Sequence, residues 1–139
     1  ASLLHNYLEK NCKLPSPGLV YGDIPELQRL NQLDHFRKGN LKKLIATDVF
    51  SRGIDTKGWV HHVIIYDFPL SLLDFIHRAG RAGRAGTKGI VSSLVTASDR
   101  RLAEYIRQAI NRKIPLGTLL PKPPQSNSVS TPAGINKKF

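Results

Sequence analysis

Short strand-like segments alternate with amphipathic helical segments along this chain, and that alternation restricts its fold more than any other feature. The strand-like runs are apolar and lie at 18–21, 44–46, 60–66 and 89–95. The helical patterns lie at 2–11, between Asp23 and Gly39, from Ser71 to Ala79, and at 99–112. Strands that alternate with helices form parallel sheets, because each crossover needs a helix that packs on the sheet. The sequence therefore predicts an α/β fold with a parallel sheet covered by helices on both faces.

Local signals predict where two of the helices begin. Asp23 is expected to cap the second helix, with Pro25 in its first turn and Gly39 at its end. Ser71 and Asp74 fit a capping box at the start of the third helix.

The chain has 139 residues, too few for a two-domain enzyme, and its 40% of apolar residues suffices for one core. The periodic pattern stops at about Pro115, so we expect one domain over residues 1–114 and a basic, disordered tail over 115–139. The single cysteine, Cys12, excludes an internal disulfide and favours a reducing compartment. No apolar run approaches the roughly 20 residues that span a bilayer, so we expect no membrane partner.

Basic residues are concentrated in the second half of the chain. Residues 1–76 contain nine Lys and Arg against eight Asp and Glu, whereas residues 77–139 contain twelve against two. A one-sided positive charge favours a polyanionic partner, most often nucleic acid. A soluble domain with a basic tail, without a nucleic-acid partner, explains these charge counts equally well.

An arginine- and glycine-rich run from His77 to Gly86 is the most informative segment. Its arginines recur at every third position, so on a helix or tight turn they lie roughly on one face. Several guanidinium groups near one site favour a polyphosphate, because each donates a planar fork of hydrogen bonds. The interspersed glycines would let the backbone approach a ligand closely. A disordered RNA-binding tail is the alternative, but a well-capped apolar helix runs directly into this segment.

The run from His77 to Arg84 reads HRAGRAGR and resembles motif VI, HRxGRxGR, of the DEAD-box RNA helicases. The run from Ala46 to Asp55 reads ATDVFSRGID and resembles their motif V, ATDxxxRGxD. Upstream, YGD at 21–23 and FRKG at 36–39 are similar to the family's HGD and FRxG stretches. The resemblance covers about residues 2–112. It implies the second, C-terminal RecA-like lobe of an ATP-dependent RNA helicase, with the family's first strand of that lobe expected before residue 1 and absent from this chain.

The resemblance also implies roles on the nucleotide side. Arg81 and Arg84 would be arginine fingers that stabilise charge on the transferring phosphoryl group of ATP. Asp55 would accept hydrogen bonds from the ribose, and Gly53 would permit the turn that presents it. His77 and Arg78 would belong to the nucleotide site and couple the fingers to the other lobe.

On the RNA side, the resemblance implies that Thr47, Gly22 and Arg29 contact the RNA backbone. Such contacts go to phosphates and sugars, so binding would be independent of base sequence and sensitive to salt. Glu26 stands where the family's QxxR motif has Gln, and its carboxylate would either repel a phosphate or orient Arg29. Asp48 is equally well explained as a cap after its strand and as a ligand-binding residue. The basic residues of the last helix are interpreted first as a solvated face and only second as an auxiliary RNA contact.

The chain contains no GxxxxGK[ST] phosphate loop and no DEAD carboxylate pair. The magnesium ligands that accompany ATP are therefore expected in the first lobe, and the isolated chain is expected to be inactive and only marginally stable. The expected partners are RNA and the N-terminal RecA-like lobe of the same protein, in a monomer. A non-catalytic RecA-like module that binds RNA or protein is the alternative function. The expected location is intracellular, in the nucleus, nucleolus or mitochondrion.

Overall fold

The computed structural model describes residues 1–12, 15–48, 60–83 and 86–120. Four helices and four strands follow one another in the order α1 (Ser2–Asn11), β1 (Gly18–Val20), α2 (Glu26–Arg37), β2 (Leu44–Ala46), β3 (His62–Ile65), α3 (Leu72–Ala79), β4 (Ile90–Ser93) and α4 (Arg100–Asn111). A short 3-10 helix follows at Leu116–Leu119. The predicted alternation of strands and helices is present in these residues.

The described strands pair in parallel as two separate two-stranded sheets, β1 with β2 and β3 with β4. Gly18 pairs with Leu44 in the first sheet, and His62 pairs with Ile90 in the second. A single continuous sheet was the expectation, but no described strand joins β2 to β3 through backbone hydrogen bonds.

The main core lies between the β3–β4 sheet and the last helices. Ile65, Phe75 and Ile106 are its buried members, and Leu102 and Leu116 pack against them. The opposite face of the same sheet is exposed among the described residues, as Ile64 and its neighbours show. Among the described residues, helices therefore cover this sheet on one face, whereas the sequence predicted helices on both.

The beginnings of the helices agree with expectation in one case and differ in the other. Ser71 caps α3, because its Oγ accepts a hydrogen bond from the Asp74 amide at 3.1 Å and donates one to the Asp74 carboxylate at 2.7 Å. The cap predicted at Asp23 is wrong. Pro25 occupies that position with an extended backbone, so α2 begins at Glu26 and has no side-chain cap.

The segment after residue 114 begins with ordered structure. Pro115 precedes the 3-10 helix, the Thr118 hydroxyl donates to the Pro115 carbonyl at 2.7 Å, and Leu116 reaches the core. Residues 121–139 lie outside the described part of the chain, so the division into a domain and a tail stays a prediction.

Candidate functional site

The carboxyl ends of β1 and β2 lie at one edge of their sheet because the strands are parallel. The Thr47 amide donates to the Val20 carbonyl at 3.2 Å, which extends the pairing one residue beyond β2. Gly22 follows β1 at the same edge, is exposed, and has no atom within 4 Å of the place where a Cβ would stand. The structure therefore brings these two predicted RNA-contact residues to a common, accessible edge.

Arg29 lies on α2, which packs on β1. Its Nη2 is 3.7 Å from the Glu26 carboxylate, and its side chain is 21% exposed against 77% for that of Glu26. Glu26 and Arg29 thus form an ion pair across one turn of the helix, and an effect of Glu26 on RNA contact stays a prediction. The same carboxylate keeps a negative charge beside the guanidinium that is predicted to meet a phosphate.

Arg78 connects the two sheets. Its Nη2 donates to the Asp48 carboxylate at 2.6 Å, and its Nη1 donates to the Asp67 carbonyl at 2.6 Å. Asp48 follows β2 and Asp67 follows β3, so one guanidinium on α3 holds the carboxyl ends of two strands that no backbone ladder joins. The Arg78 side chain is 22% exposed and the Asp48 side chain is 45% exposed. Asp48 is therefore an ion-pair partner within the domain, and a nucleotide contact for Arg78 stays a prediction.

Arg81 lies in the turn that follows α3. Its amide donates to the Arg78 carbonyl at 3.1 Å, and its Nε donates to the His77 carbonyl at 3.2 Å, which holds the side chain against the end of the helix. The buried Nδ1 of His77 has no hydrogen-bond partner among the described residues. A buried polar atom without a partner is costly, and a bound group commonly supplies the missing contact. The nucleotide roles of His77 and Arg81 stay predictions.

The glycines of this segment have a structural role that their sequence pattern did not predict. Gly83 has φ +63°, and a Cβ there would lie 2.5 Å from the Gly89 amide nitrogen. A Cβ on Gly89 would lie 2.5 Å from the Gly83 nitrogen, and the Gly83 amide donates to the Val60 carbonyl at 3.2 Å. Close approach to a ligand was the predicted role of these glycines. At Gly83 the close neighbour is instead the chain's own backbone at Gly89.

Three predicted site residues, Gly53, Asp55 and Arg84, lie outside the described residues, so their roles stay predictions. The Asp67 carbonyl is a contact of Arg78 that sequence reasoning missed. A backbone acceptor has no side-chain signature, and only the strand end before Pro69 marks the position.

Three surface carboxyls among the described residues have a lowered pKa. The Lys38 ammonium donates a hydrogen bond to Asp34 and lowers the pKa of that carboxyl, and the Thr96 hydroxyl and amide lower the pKa of Asp99 in the same way. Hydrogen bonds from Arg107 and Gln108 lower the pKa of Glu104 to about 2. These carboxylates are half-exposed, and the largest cause of each shift is a hydrogen bond from a neighbouring residue.

Metal-binding side chains are not grouped in the described part of the chain, where no cluster holds three or more His, Cys, Asp or Glu. Among the same residues, no helix is both long and apolar enough to cross a bilayer.

Comparison with known sequences gives one family. Residues 3–86 match the helicase conserved C-terminal domain. The DEAD-box ATP-dependent RNA helicase 39 of Arabidopsis thaliana is 39% identical over 101 residues, which cover 71% of this chain and 16% of that protein. The ATP-dependent rRNA helicase RRP3 of Scheffersomyces stipitis is 41% identical over 107 residues, covering 77% of this chain and 21% of that protein. The chain thus spans about a fifth of the length of these relatives.

Comparison with solved structures agrees. The DEAD-box protein Dbp5 of S. cerevisiae bound to RNA and ADP BeF3 aligns with a TM-score of 0.68 and 31% identity, over 77% of this chain and 28% of that one. The described elements therefore have the RecA-like α/β fold of such C-terminal domains.

Proposed function

The chain belongs to the DEAD-box RNA helicases, in which it corresponds to part of the C-terminal lobe, and from that premise we propose that it binds the RNA backbone and supplies arginine fingers for ATP hydrolysis. In this proposal the N-terminal RecA-like lobe of the same protein holds the rest of the ATP site. The complete enzyme is an RNA-stimulated ATP hydrolase, acting as a monomer.

The observation that carries the proposal is the Arg78 bridge. It ties motif VI, on α3, to Asp48 of motif V and to the end of β3 through two 2.6 Å hydrogen bonds. Thr47, which is predicted to contact RNA, is the residue before Asp48. Arg81, which is predicted to contact the nucleotide, lies three residues after Arg78. A direct link of this kind would let a change at the phosphates of ATP reach the RNA contacts.

The RNA half of the proposal uses the β1–β2 edge. The Thr47 hydroxyl and nearby amides would donate to a phosphate, and the open surface at Gly22 would admit the backbone of the strand. Arg29, held by Glu26, would add a guanidinium from α2. Each of these groups recognises phosphate or sugar, so we expect affinity with little dependence on base sequence.

The ATP half uses the end of α3. Arg81, together with Arg84, would stabilise negative charge on the transferring phosphoryl group, an effect worth roughly 10³–10⁵ in rate in well-studied NTPases. The Arg81 side chain already lies against the end of α3, where its Nε donates to the His77 carbonyl at 3.2 Å. When ATP is bound, its Mg²⁺ neutralises phosphate charge, and we assign the ligands of that ion to the first lobe because this sequence has neither the phosphate loop nor the DEAD carboxylates.

The isolated chain is proposed to be inactive, because arginine fingers without a phosphate loop have no held nucleotide to act on. RNA-stimulated ATP turnover by the purified chain would refute that part. A non-catalytic RNA- or protein-binding module is the second candidate, and a complete coding sequence without a phosphate loop would favour it.

The proposal also includes an intracellular location. Of the compartments left open by the sequence, a site of rRNA processing such as the nucleolus gains support from the relative named an rRNA helicase, and the mitochondrion gains none.

Two arginines of α2 provide a matched test of RNA binding. Arg29 and Arg37 each pair with an acidic residue one turn earlier, but Arg29 is predicted to touch RNA and Arg37 is not. Fluorescence anisotropy with a labelled ten-nucleotide oligouridylate measures both. Arg29→Ala should weaken binding about tenfold and reduce the slope of log K against log salt by about one phosphate contact. Arg37→Ala should leave both quantities unchanged. Equal effects of the two substitutions would contradict the proposed interface.

A further inference from the structure

A close backbone contact joins the segment after α3 to the residue before β4. A Cβ on Gly89 would lie 2.5 Å from the Gly83 nitrogen, 2.7 Å from the Ala82 carbonyl carbon and 2.8 Å from the Ala82 Cβ. Real Cβ atoms essentially never come within 3.0 Å of such atoms. None of these neighbours can turn aside, because two are backbone atoms and the third is fixed to the backbone. A side chain at position 89 therefore requires the backbone itself to move.

The requirement for glycine at position 89 is one of space and not of backbone conformation. The φ of Gly89 lies outside the left-handed region, so alanine there carries no backbone strain of its own. Gly86 shows the opposite combination, because it has φ +81° and no atom within 4 Å of the place where a Cβ would stand. The effect of a methyl group on Gly89 is therefore a displacement of its neighbours.

The sheet is the better-anchored side of this contact. Ile90, the residue after Gly89, donates to the His61 carbonyl at 2.8 Å, and β4 then pairs with β3 over four consecutive residue pairs. On the other side, the bond from the Gly83 amide to the Val60 carbonyl is longer, at 3.2 Å. A methyl group on Gly89 would therefore displace the turn after α3 rather than the sheet, by about 1 Å if the contact is to reach an ordinary van der Waals distance.

Arg81 belongs to the turn that would be displaced, because it lies two residues before Gly83. The amide of Ala82, between them, donates to the Ala79 carbonyl at 3.1 Å, so this turn is bonded directly to the end of α3. The Arg81 Nε donates to the His77 carbonyl at 3.2 Å. A shift of the backbone at Ala82 and Gly83 would change the distance and angle of that bond, and with it the direction of the guanidinium.

We propose that Gly89 is a positioning residue for Arg81, since its lack of a side chain lets Gly83 pack against the start of β4 and so sets the direction of the arginine finger. Gly89 touches neither ATP nor RNA and acts through the turn alone. The inference rests on the proposed function, in which Arg81 reaches the phosphates of ATP. A misplacement of about 1 Å at a catalytic group costs about 100-fold in rate, and we expect a loss of that size in kcat.

NMR of the full 139-residue chain tests the displacement without any nucleotide. In Gly89→Ala, the Gly83 amide should exchange about tenfold faster or more, and the Arg81 Nε–H signal should shift, whereas the Ile90 amide in the ladder should keep its exchange rate. Gly117→Ala is the control, because no atom lies within 4 Å of the place where its Cβ would stand, and it should change none of these signals. Unchanged Gly83 and Arg81 signals in Gly89→Ala would overturn the proposal.

Catalysis is measured in a chimaera in which the chain replaces the matching C-terminal segment of the Arabidopsis relative. Gly89→Ala should lower kcat and kcat/KM for ATP by the same factor of about 100, because a finger acts in the transition state, and RNA affinity should stay the same. Ile106→Val removes a methyl group from the core and is the control for lost stability, since it should lower the melting temperature and leave kcat unchanged. A Gly89→Ala chimaera with the kcat of the Ile106→Val chimaera would contradict the proposal.

A double-mutant cycle in the chimaera shows whether Gly89 acts through Arg81. Gly89→Ala added to Arg81→Ala should lower kcat little further, because the finger that Gly89 positions is already absent. Losses that multiply would assign Gly89 a separate role and overturn the proposal. An Arg81→Ala chimaera with full kcat would refute the finger itself, and the inference with it. A large loss from Arg81→Ala beside none from Gly89→Ala would overturn the inference and leave the proposed function in place.

Discussion

The guanidinium of Arg78 donates a 2.6 Å hydrogen bond to the carboxylate of Asp48, thirty residues earlier in the chain. The same guanidinium reaches the Asp67 carbonyl at 2.6 Å, so it joins the ends of two strands that belong to separate sheets. The pair is partly exposed, and a pair of this kind contributes modestly to stability. Its larger consequence is positional, because it holds Asp48, from motif V, beside Arg78, from motif VI.

A double-mutant cycle on this pair measures the link. Asp48→Asn should lower the free energy of unfolding by about 1 kcal/mol, because it removes the charge and keeps a hydrogen-bond acceptor. Arg78→Ala should cost about 2 kcal/mol, since the bond to the Asp67 carbonyl is lost as well. Urea denaturation should give a coupling energy of about 1 kcal/mol between the two positions. Strict additivity would show that the ion pair contributes nothing.

The backbone contact between Gly83 and Gly89 predicts unequal effects of two glycine substitutions. Gly83 and Gly86 both have positive φ, at +63° and +81°, so alanine at either position costs about 1–2 kcal/mol in backbone strain. A methyl group added at Gly86 would meet open space, whereas a Cβ on Gly83 would lie 2.5 Å from the Gly89 nitrogen. Gly83→Ala should therefore lower the melting temperature clearly more than Gly86→Ala. Equal shifts would mean that the close approach is not maintained in solution.

The carboxylate of Glu26 predicts a gain in RNA affinity. It lies 3.7 Å from the Arg29 guanidinium and offsets part of its charge where a phosphate is proposed to bind. Glu26→Gln should tighten binding of oligouridylate about three- to fivefold at low salt, because removing a nearby negative charge strengthens a phosphate contact. Asp34→Asn, which removes a carboxylate from the other end of the same helix, is the control and should change affinity less. Weaker binding by Glu26→Gln would indicate that orienting Arg29 matters more than the charge.

The hydrogen bonds of Glu104 predict a pH dependence. Arg107 and Gln108 lower the pKa of this carboxyl from 4.5 to about 2 in the folded chain. A folded-state pKa below the unfolded value stabilises the fold above pH 4.5, and that contribution is lost as the pH falls toward about 2. An NMR titration of the side-chain carboxyl should show a charged Glu104 at a pH of about 3.5, and Arg107→Gln should return its pKa toward the ordinary value. Arg101→Gln is the charge-matched control. A titration midpoint near 4.5 in the unaltered chain would contradict the observed pairing.

Much of the fold follows from local sequence signals. The capping pair at Ser71 and Asp74 was predicted from their three-residue spacing and is present, because such a cap depends only on neighbouring residues. The start of α2 was not predicted correctly, since Asp23 and Pro25 are both typical of helix beginnings. Pro25, with its fixed φ, occupies the residue before the helix, and Asp23 does not cap it. The division of the strands into two sheets is a long-range property that no local pattern encodes.

The site divides in the same way. The resemblance implied that Thr47 and Gly22 share an RNA surface, and both follow paired parallel strands at the same sheet edge. The orienting contact of Glu26 was one of two open alternatives, and the geometry places an ion pair there. The partners of Arg78 were beyond sequence reasoning, because one is a backbone carbonyl and the other is a carboxylate with two equally good interpretations. The role of Gly83 was missed because its neighbour, Gly89, lies outside the motif.

The central claim is that this chain completes an ATP site through Arg81, and a chimaera tests it most directly. The chain replaces the matching C-terminal segment of the Arabidopsis relative, whose first lobe supplies the remaining half of the site. We predict RNA-stimulated ATP hydrolysis by the chimaera, a loss of roughly 10³-fold or more in kcat with Arg81→Ala, and unchanged kcat with the control Arg107→Ala. RNA affinity should be the same in all three proteins. An Arg81→Ala chimaera that hydrolyses ATP as fast as its parent would contradict the account.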